Sequence, residues 1–310
     1  MKPQNNEPPP ENGPESEDSL EILATVGMVA DLVRLVGAEH VEVTQLMGSG
    51  VDPHLYKANR DDIQFVLESD AVFYSGHHLE GKMTDTLEKL SKQKPVIAVG
   101  EEINQDDLVQ SSESQIQVDP HLWMNISIWS QGLEVVANAL SSLDPKHADT
   151  YTENAKNALS QFRDLHQYGI EVIGSIPEEK RVLITSHDAF QYFGDAYEIE
   201  VLGVQGISTE SEAGLQRINA IVDLITDRKI SAIFIESSVP RKNVDSLIEG
   251  ARARGHEVII GGELLSDAMG SEGSYEGSYL GMMDHNLTRV AQALGGEAPD
   301  SGFQRKLKTD

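Results

Sequence analysis

The chain has no cysteine among its 310 residues, so disulfides and thiolate ligands are excluded and any metal site must be built from nitrogen and oxygen donors. No run of about 18 apolar residues occurs, so no segment reads as a membrane-spanning helix. Basic residues are scarce: 24 Lys and Arg stand against 51 Asp and Glu, a formal charge of −27. That balance argues against binding a phosphate backbone, and so against nucleic acid. Its field draws cations without selecting one, and it suits a saline milieu. Also missing are a Gly-x-Ser-x-Gly elbow, a His-Glu-x-x-His pair, a Gly-x-x-x-x-Gly-Lys phosphate loop and a Gly-x-Gly-x-x-Gly dinucleotide turn, the usual marks of several large enzyme classes. Residues 1–19 lack a basic n-region and an apolar h-region. Pro, Glu, Asn and Ser dominate them, and they are expected to form a disordered tether, with any export signal outside this sequence.

What is present is a repeat. Asp52-Pro53-His54-Leu55-Tyr56 returns almost unchanged as Asp119-Pro120-His121-Leu122-Trp123. Proline fixes its own φ and keeps the residue before it out of the helix, so each imidazole sits on an extended or turning backbone. A lone histidine in such a place more often hydrogen-bonds its own turn than binds a metal. Two in the same local frame point to one target, and without cysteine the usual reason to converge imidazoles is a divalent cation.

From Leu20 onward, short apolar runs alternate with segments of helical period. Strands are expected at Glu21–Val26, Val41–Leu46, Ala71–Tyr74 and Val96–Val99, then at Val182–Thr185, Glu200–Val204, Ala232–Ile235 and Val258–Ile260. The fold class this implies is α/β: two βα lobes, each with a four-stranded, mainly parallel sheet, and a metal site in the cleft between them. Residues 104–118 read as a surface loop. Ile126–Leu143 reads as one helix, with Asp144 capping the next. That next helix, from Pro145 to about Ile173, would be ~43 Å long and would join the lobes as a rigid rod. The expected divisions are a tether (1–19), an N-terminal lobe (20–144), a linking helix (145–174), a C-terminal lobe (175–297) and a polar tail (298–310).

Ligands of open α/β sheets sit beyond the carboxyl ends of the strands, and the candidate donors fall there. His54 follows the second strand, and His121 lies on the loop before a helix. His187 follows the strand Arg181–Thr185, and Asp267 follows the run Val258–Ile260 through a Gly-Gly segment. Two nitrogens from each side, or three and one carboxylate in all, could close around one ion. A His3Asp shell would be complete without water, which favours holding the ion over using it in catalysis.

Those motifs, with Thr185–Phe193, Gln205–Gly214, Ala232–Asn243 and Gly261–Gly270, resemble the metal-specific, TroA-like solute-binding proteins of zinc and manganese ABC importers. The resemblance runs from about Leu20 to Leu294. It implies metal ligands at His54, His121, His187 and Asp267, with one ion per chain. It also implies a partner permease, no enzymatic activity, a monomer, and a place in the periplasm or on the outer face of the cytoplasmic membrane. Zinc is the expected ion and manganese the alternative, since the manganese-preferring branch carries Glu at the position of His187 while the histidine-rich loop of many zinc-specific relatives is missing here. A metal-dependent hydrolase, or an adhesin or structural module with a metal site, is the competing reading. Ser186-His187-Asp188 spells out a triad, but neighbouring residues point apart and true triads are assembled from distant positions. His78 is expected to line the cleft, and Glu236 to orient a ligand imidazole. His40, His147, His166, His256 and His285 are read as solvated positions.

Overall fold

The computed structural model describes residues 19–111 and 116–308. The expected tether apart from Ser19, residues 112–115 of the expected loop and the last two residues of the tail lie outside them.

In the first lobe β1 (Leu20–Ala24), β2 (Val41–Gln45), β3 (Ala71–Tyr74) and β4 (Val96–Ala98) form one parallel sheet in the order β2-β1-β3-β4. Leu23, Ala24, Val72 and Phe73 on the two central strands are fully buried, as expected where helices cover both faces of a sheet. The crossovers are α1 (Gly27–Gly37), α2 (Arg60–Glu68) and α3 (Thr84–Leu90). On α1, Val29, Leu32, Val33 and Val36 make the buried stripe that the helical period requires.

The expected helix 126–143 is two: α4 (Ile126–Trp129) and α5 (Gly132–Leu143). The break turns Trp129 edge-on to Trp123, with ring centroids 6.2 Å apart. It also sets Gly132 against Leu32 and Val99, where an added Cβ would lie 2.8 and 3.0 Å from their methyls. A 3-10 turn over Pro145–His147 then leads into α6 (Ala148–Gly174), 27 residues long. Asp144 does not cap that turn with its side chain. Its carboxylate instead accepts from His147 Nδ1 at 2.5 Å and from Tyr151 at 2.9 Å.

In the second lobe β5 (Val182–Thr185) pairs with β6 (Glu200–Gly203), and β7 (Ala232–Glu236) pairs with β8 (Ile259–Leu264), both in parallel. β5 and β7 run side by side, but their hydrogen-bonded ladders stay separate. β8 continues past the expected end at Ile260, because Gly261 and Gly262 do not turn the chain. They make a bulge opposite Ile233 and Phe234, with Gly262 at φ 153°. The helices are α7 (Gln191–Tyr197), α8 (Leu215–Asp227), α9 (Lys242–Ala253) and α10 (Tyr279–Ala293).

α6 ties the lobes together. Asn154 donates to the carbonyl of Val36 on α1 at 3.0 Å, and Tyr168 shares a 2.8 Å hydrogen bond with Thr288 on α10. One apolar core runs continuously from the first sheet past Phe162 to Tyr192, Tyr279 and Leu287. Trp123 Nε1 donates to the carbonyl of Ser266 at 2.8 Å, and the Tyr279 hydroxyl donates to that of Trp123 at 2.7 Å. The lobes are thus fused by buried contacts as well as by the helix.

Candidate metal centre

Each candidate donor sits on a connection between regular elements. His54 lies in the turn after β2, His121 immediately before the 3-10 turn Leu122–Met124, His187 two residues beyond β5, and Asp267 three beyond β8. The two Asp-Pro-His turns share a geometry. Asp52 Oδ1 accepts the backbone N–H of His54 at 2.9 Å, and Asp119 Oδ1 that of His121 at 3.0 Å, so each aspartate closes a turn on its own histidine. The His187 turn passes close over β6, where a Cβ on Gly203 would lie 2.5 Å from Asp188 N. Glycine at 203 is therefore what lets this turn reach the cleft.

The structure brings all four residues together. His54 is 2% exposed, His121 and His187 0%, and Asp267 1%, and one donor atom from each lies within 4.8 Å of every other. His54 Nε2 is 3.4 Å from His121 Nε2, and Asp267 is 3.3 Å from His121 Nε2, 3.2 Å from His187 Nε2 and 3.8 Å from His54 Nε2. Donors held at ~2.0–2.1 Å from a tetrahedral ion would be about 3.3–3.4 Å apart, close to these spacings. His187 Nε2 and both Asp267 oxygens are buried without a hydrogen-bond partner. Orphaned polar atoms of this kind are costly unless something else satisfies them. The residues present fit a dication.

The far sides of two rings are fixed. His121 Nδ1 meets Asp119 Oδ1 at 2.7 Å. His187 Nδ1 meets Glu236 Oε2 at 2.5 Å, and Glu236 Oε1 also accepts the backbone N–H of His187 at 2.9 Å. Such partners set the tautomer that leaves Nε2 free to ligate. They also set charge. Burial alone would lower His121, but the carboxylates of Asp119 and Asp267 outweigh it and push the imidazole up to about 9. His187 moves well above the ordinary histidine range in the same way, held by Glu236 and Asp267 against burial. His54, buried beside the other imidazoles with Asp267 in partial compensation, drops to about 3. Burial would raise Asp267, yet the imidazoles of His187 and His121 hold it well below the usual carboxylate range.

A cleft of about 890 Å³ opens onto His54 and is walled by residues of both lobes, among them His78, Lys82, Asp188 and Glu210. His78 lines it as expected and stands outside the donor cluster. Glu236 holds the position expected of an orienting carboxylate. Asp119 is the partner that sequence reasoning missed, although its signal was printed twice in the Asp-Pro-His repeat. The five histidines read as solvated are in fact anchored. His40 and His147 stack at 3.7 Å, His166 lies 3.3 Å from the Tyr197 hydroxyl, and His256 and His285 meet the carbonyls of Ile230 and Glu263 at 2.7 and 2.9 Å. The expected 104–118 loop is pinned at its base by an antiparallel bridge between Gln110 and Val118, which leads directly into Asp119.

Two parallel α/β lobes bridged by one long helix, with a buried His3Asp constellation between them, define the class of cleft-type metal-binding proteins. The sequence profile of zinc-uptake complex component A, periplasmic, matches residues 22–293. The chain belongs to this family of solute-binding components of metal ABC importers. It is 44% identical to the manganese-binding lipoprotein MntA of Bacillus subtilis over 282 residues, covering 91% of this chain and 92% of that one. It is 42% identical to the zinc-binding protein TroA of Treponema pallidum over 273 residues, 88% of each. The solved structure of the periplasmic zinc-binding protein TroA from Treponema pallidum superposes with a TM-score of 0.87 at 41% identity, covering 89% of this chain and 99% of that one.

Proposed function

We propose that this chain captures one divalent transition-metal ion outside the cytoplasm and delivers it to the permease of an ABC importer, with zinc the preferred cargo and manganese the alternative. The ligands in this reading are the Nε2 atoms of His54, His121 and His187 and the carboxylate of Asp267. The observation that carries it is the convergence of these four buried donors, three of whose atoms have no hydrogen-bond partner. Relatives of nearly equal similarity are named for manganese and for zinc, so kinship alone does not decide the cargo. Donor chemistry favours zinc: three imidazoles and one carboxylate suit its tetrahedral preference, whereas manganese takes more oxygen donors. A donor set complete without water supports a carrier over a hydrolase. Among the described residues no helix is long and apolar enough to cross a membrane, so attachment at the membrane would come through the permease or an anchor.

The test is the metal content of protein purified without added metal, followed by competition at neutral pH. Equimolar zinc should displace manganese. Manganese that holds its place would overturn the zinc assignment, and a protein that loads neither ion would overturn the carrier reading.

A further inference from the structure

Asp52 and Asp119 hold equivalent places in the two Asp-Pro-His turns, and each closes its turn on the following histidine. There the likeness ends. Asp119 uses the same Oδ1 to meet the His121 ring within its own lobe. Asp52 instead turns Oδ2 toward the second lobe, where it accepts the hydroxyl of Thr209 at 2.6 Å across 157 positions of sequence. One carboxylate thus joins the backbone of a candidate ligand turn to the opposite wall of the cleft. His54 is also the only donor of the four that borders the open cleft, and among the described residues its ring meets no carboxylate closer than Asp267 at 3.8 Å.

Resting on the carrier reading above, we propose that Asp52 and Thr209 are positioning residues for cation retention: their bond holds the His54 turn in ligating position while the 207–212 segment stays packed against the first lobe. When the 207–212 segment separates from the first lobe, the His54 turn loses its outer support and His54 is the first ligand to leave. A hydroxyl donating to a carboxylate is among the stronger hydrogen bonds, and this one acts one turn away from the ion. The Lys82–Glu210 ion pair also crosses the cleft, but its side chains are 42% and 39% exposed and Lys82 is on no ligand turn. Water weakens such a pair, which makes it the internal control.

The experiment follows zinc release from the loaded full chain into excess chelator. Thr209→Val should accelerate release by about tenfold, as expected for loss of one bond to a charged acceptor, while association is unchanged. Thr209→Ser should restore the wild-type rate, and Lys82→Met should change it by less than about threefold. Metal-free Thr209→Val should melt with wild type, which separates positioning from a general structural role. Unchanged release in Thr209→Val, or equal acceleration in Lys82→Met, would overturn the proposal. Wild-type protein that fails to retain zinc would instead refute the carrier reading on which it rests.

Discussion

Replacing Glu236 by Gln changes one charge and almost no volume at a site 3% exposed. Both atoms that Glu236 receives are donors when His187 ligates through Nε2: the backbone N–H at 2.9 Å and Nδ1–H at 2.5 Å. A carboxylate accepts both. A carboxamide offers one acceptor and one NH2, so one donor must face another donor, or the ring must shift its proton to Nε2 and lose its lone pair for the metal. An unsatisfied buried polar group costs about 1–3 kcal/mol, and loss of a carboxylate behind a ligating histidine lowers metal affinity roughly 10–100-fold. The two figures agree. Competitive zinc titration against a chromogenic chelator should therefore show Glu236→Gln weaker by one to two decades, and Asp119→Asn weaker for the same reason at His121. An affinity within about twofold of wild type in Glu236→Gln would refute the claim that this carboxylate orients the ligand, since losing such a partner is expected to cost far more than that.

His121, raised to about 9, holds an extra proton at neutral pH in the metal-free protein, and His187 is shifted in the same direction by Glu236 and Asp267, so a cation must expel protons on binding, while the depressed His54 releases none. Apparent affinity should rise with pH until it levels off above about 9 for the His121 contribution, well above the ordinary histidine range; calorimetry in buffers of different ionisation enthalpy counts the protons, and a count of zero contradicts it. The same shift gives the metal-free fold stability that is fully present below about 6.5, the unfolded value, and lost as pH rises through about 9, so its melting temperature should fall across that window. His121→Ala or His187→Ala should each lower zinc affinity by several decades with the metal-free far-UV spectrum unchanged; wild-type affinity in either variant removes that residue from the ligand set. Because α6 and a continuous core join the lobes, scattering curves of metal-free and loaded protein should nearly superimpose, and a change of several Å in radius of gyration would refute the rigid bridge.

Local patterns carried much of the fold. The apolar runs of β1, β3 and β5 and the uninterrupted period of α6 are properties of neighbouring residues, and each element lies within a few positions of where those residues suggest. What escaped depends on contacts distant in sequence. The break between α4 and α5 places Gly132 against Leu32 and Val99, about which the 126–143 period says nothing. The Gly261–Gly262 pair reads as lying beyond the strand until β7 supplies the residues that pair with it. The stacking of His40 on His147 joins residues 107 positions apart, which neither local context shows. At the candidate site His54, His187 and Asp267 stood out by their place after strands, and the repeat marked His54 and His121. The separate uses of Asp52 and Asp119 could not be told apart, because the same three letters serve a ring in one lobe and a threonine in the other.

The central claim, that three imidazoles and one carboxylate from both lobes close on a single ion, is tested most directly by X-ray absorption at the zinc edge of the loaded protein. One zinc per chain is expected, with a four-coordinate shell of nitrogen and oxygen at ~2.0–2.1 Å and outer scattering from three imidazoles. That imidazole signal should fall to two in His187→Ala. A shell with fewer than three imidazoles in the wild type, or one unchanged by His187→Ala, would contradict it.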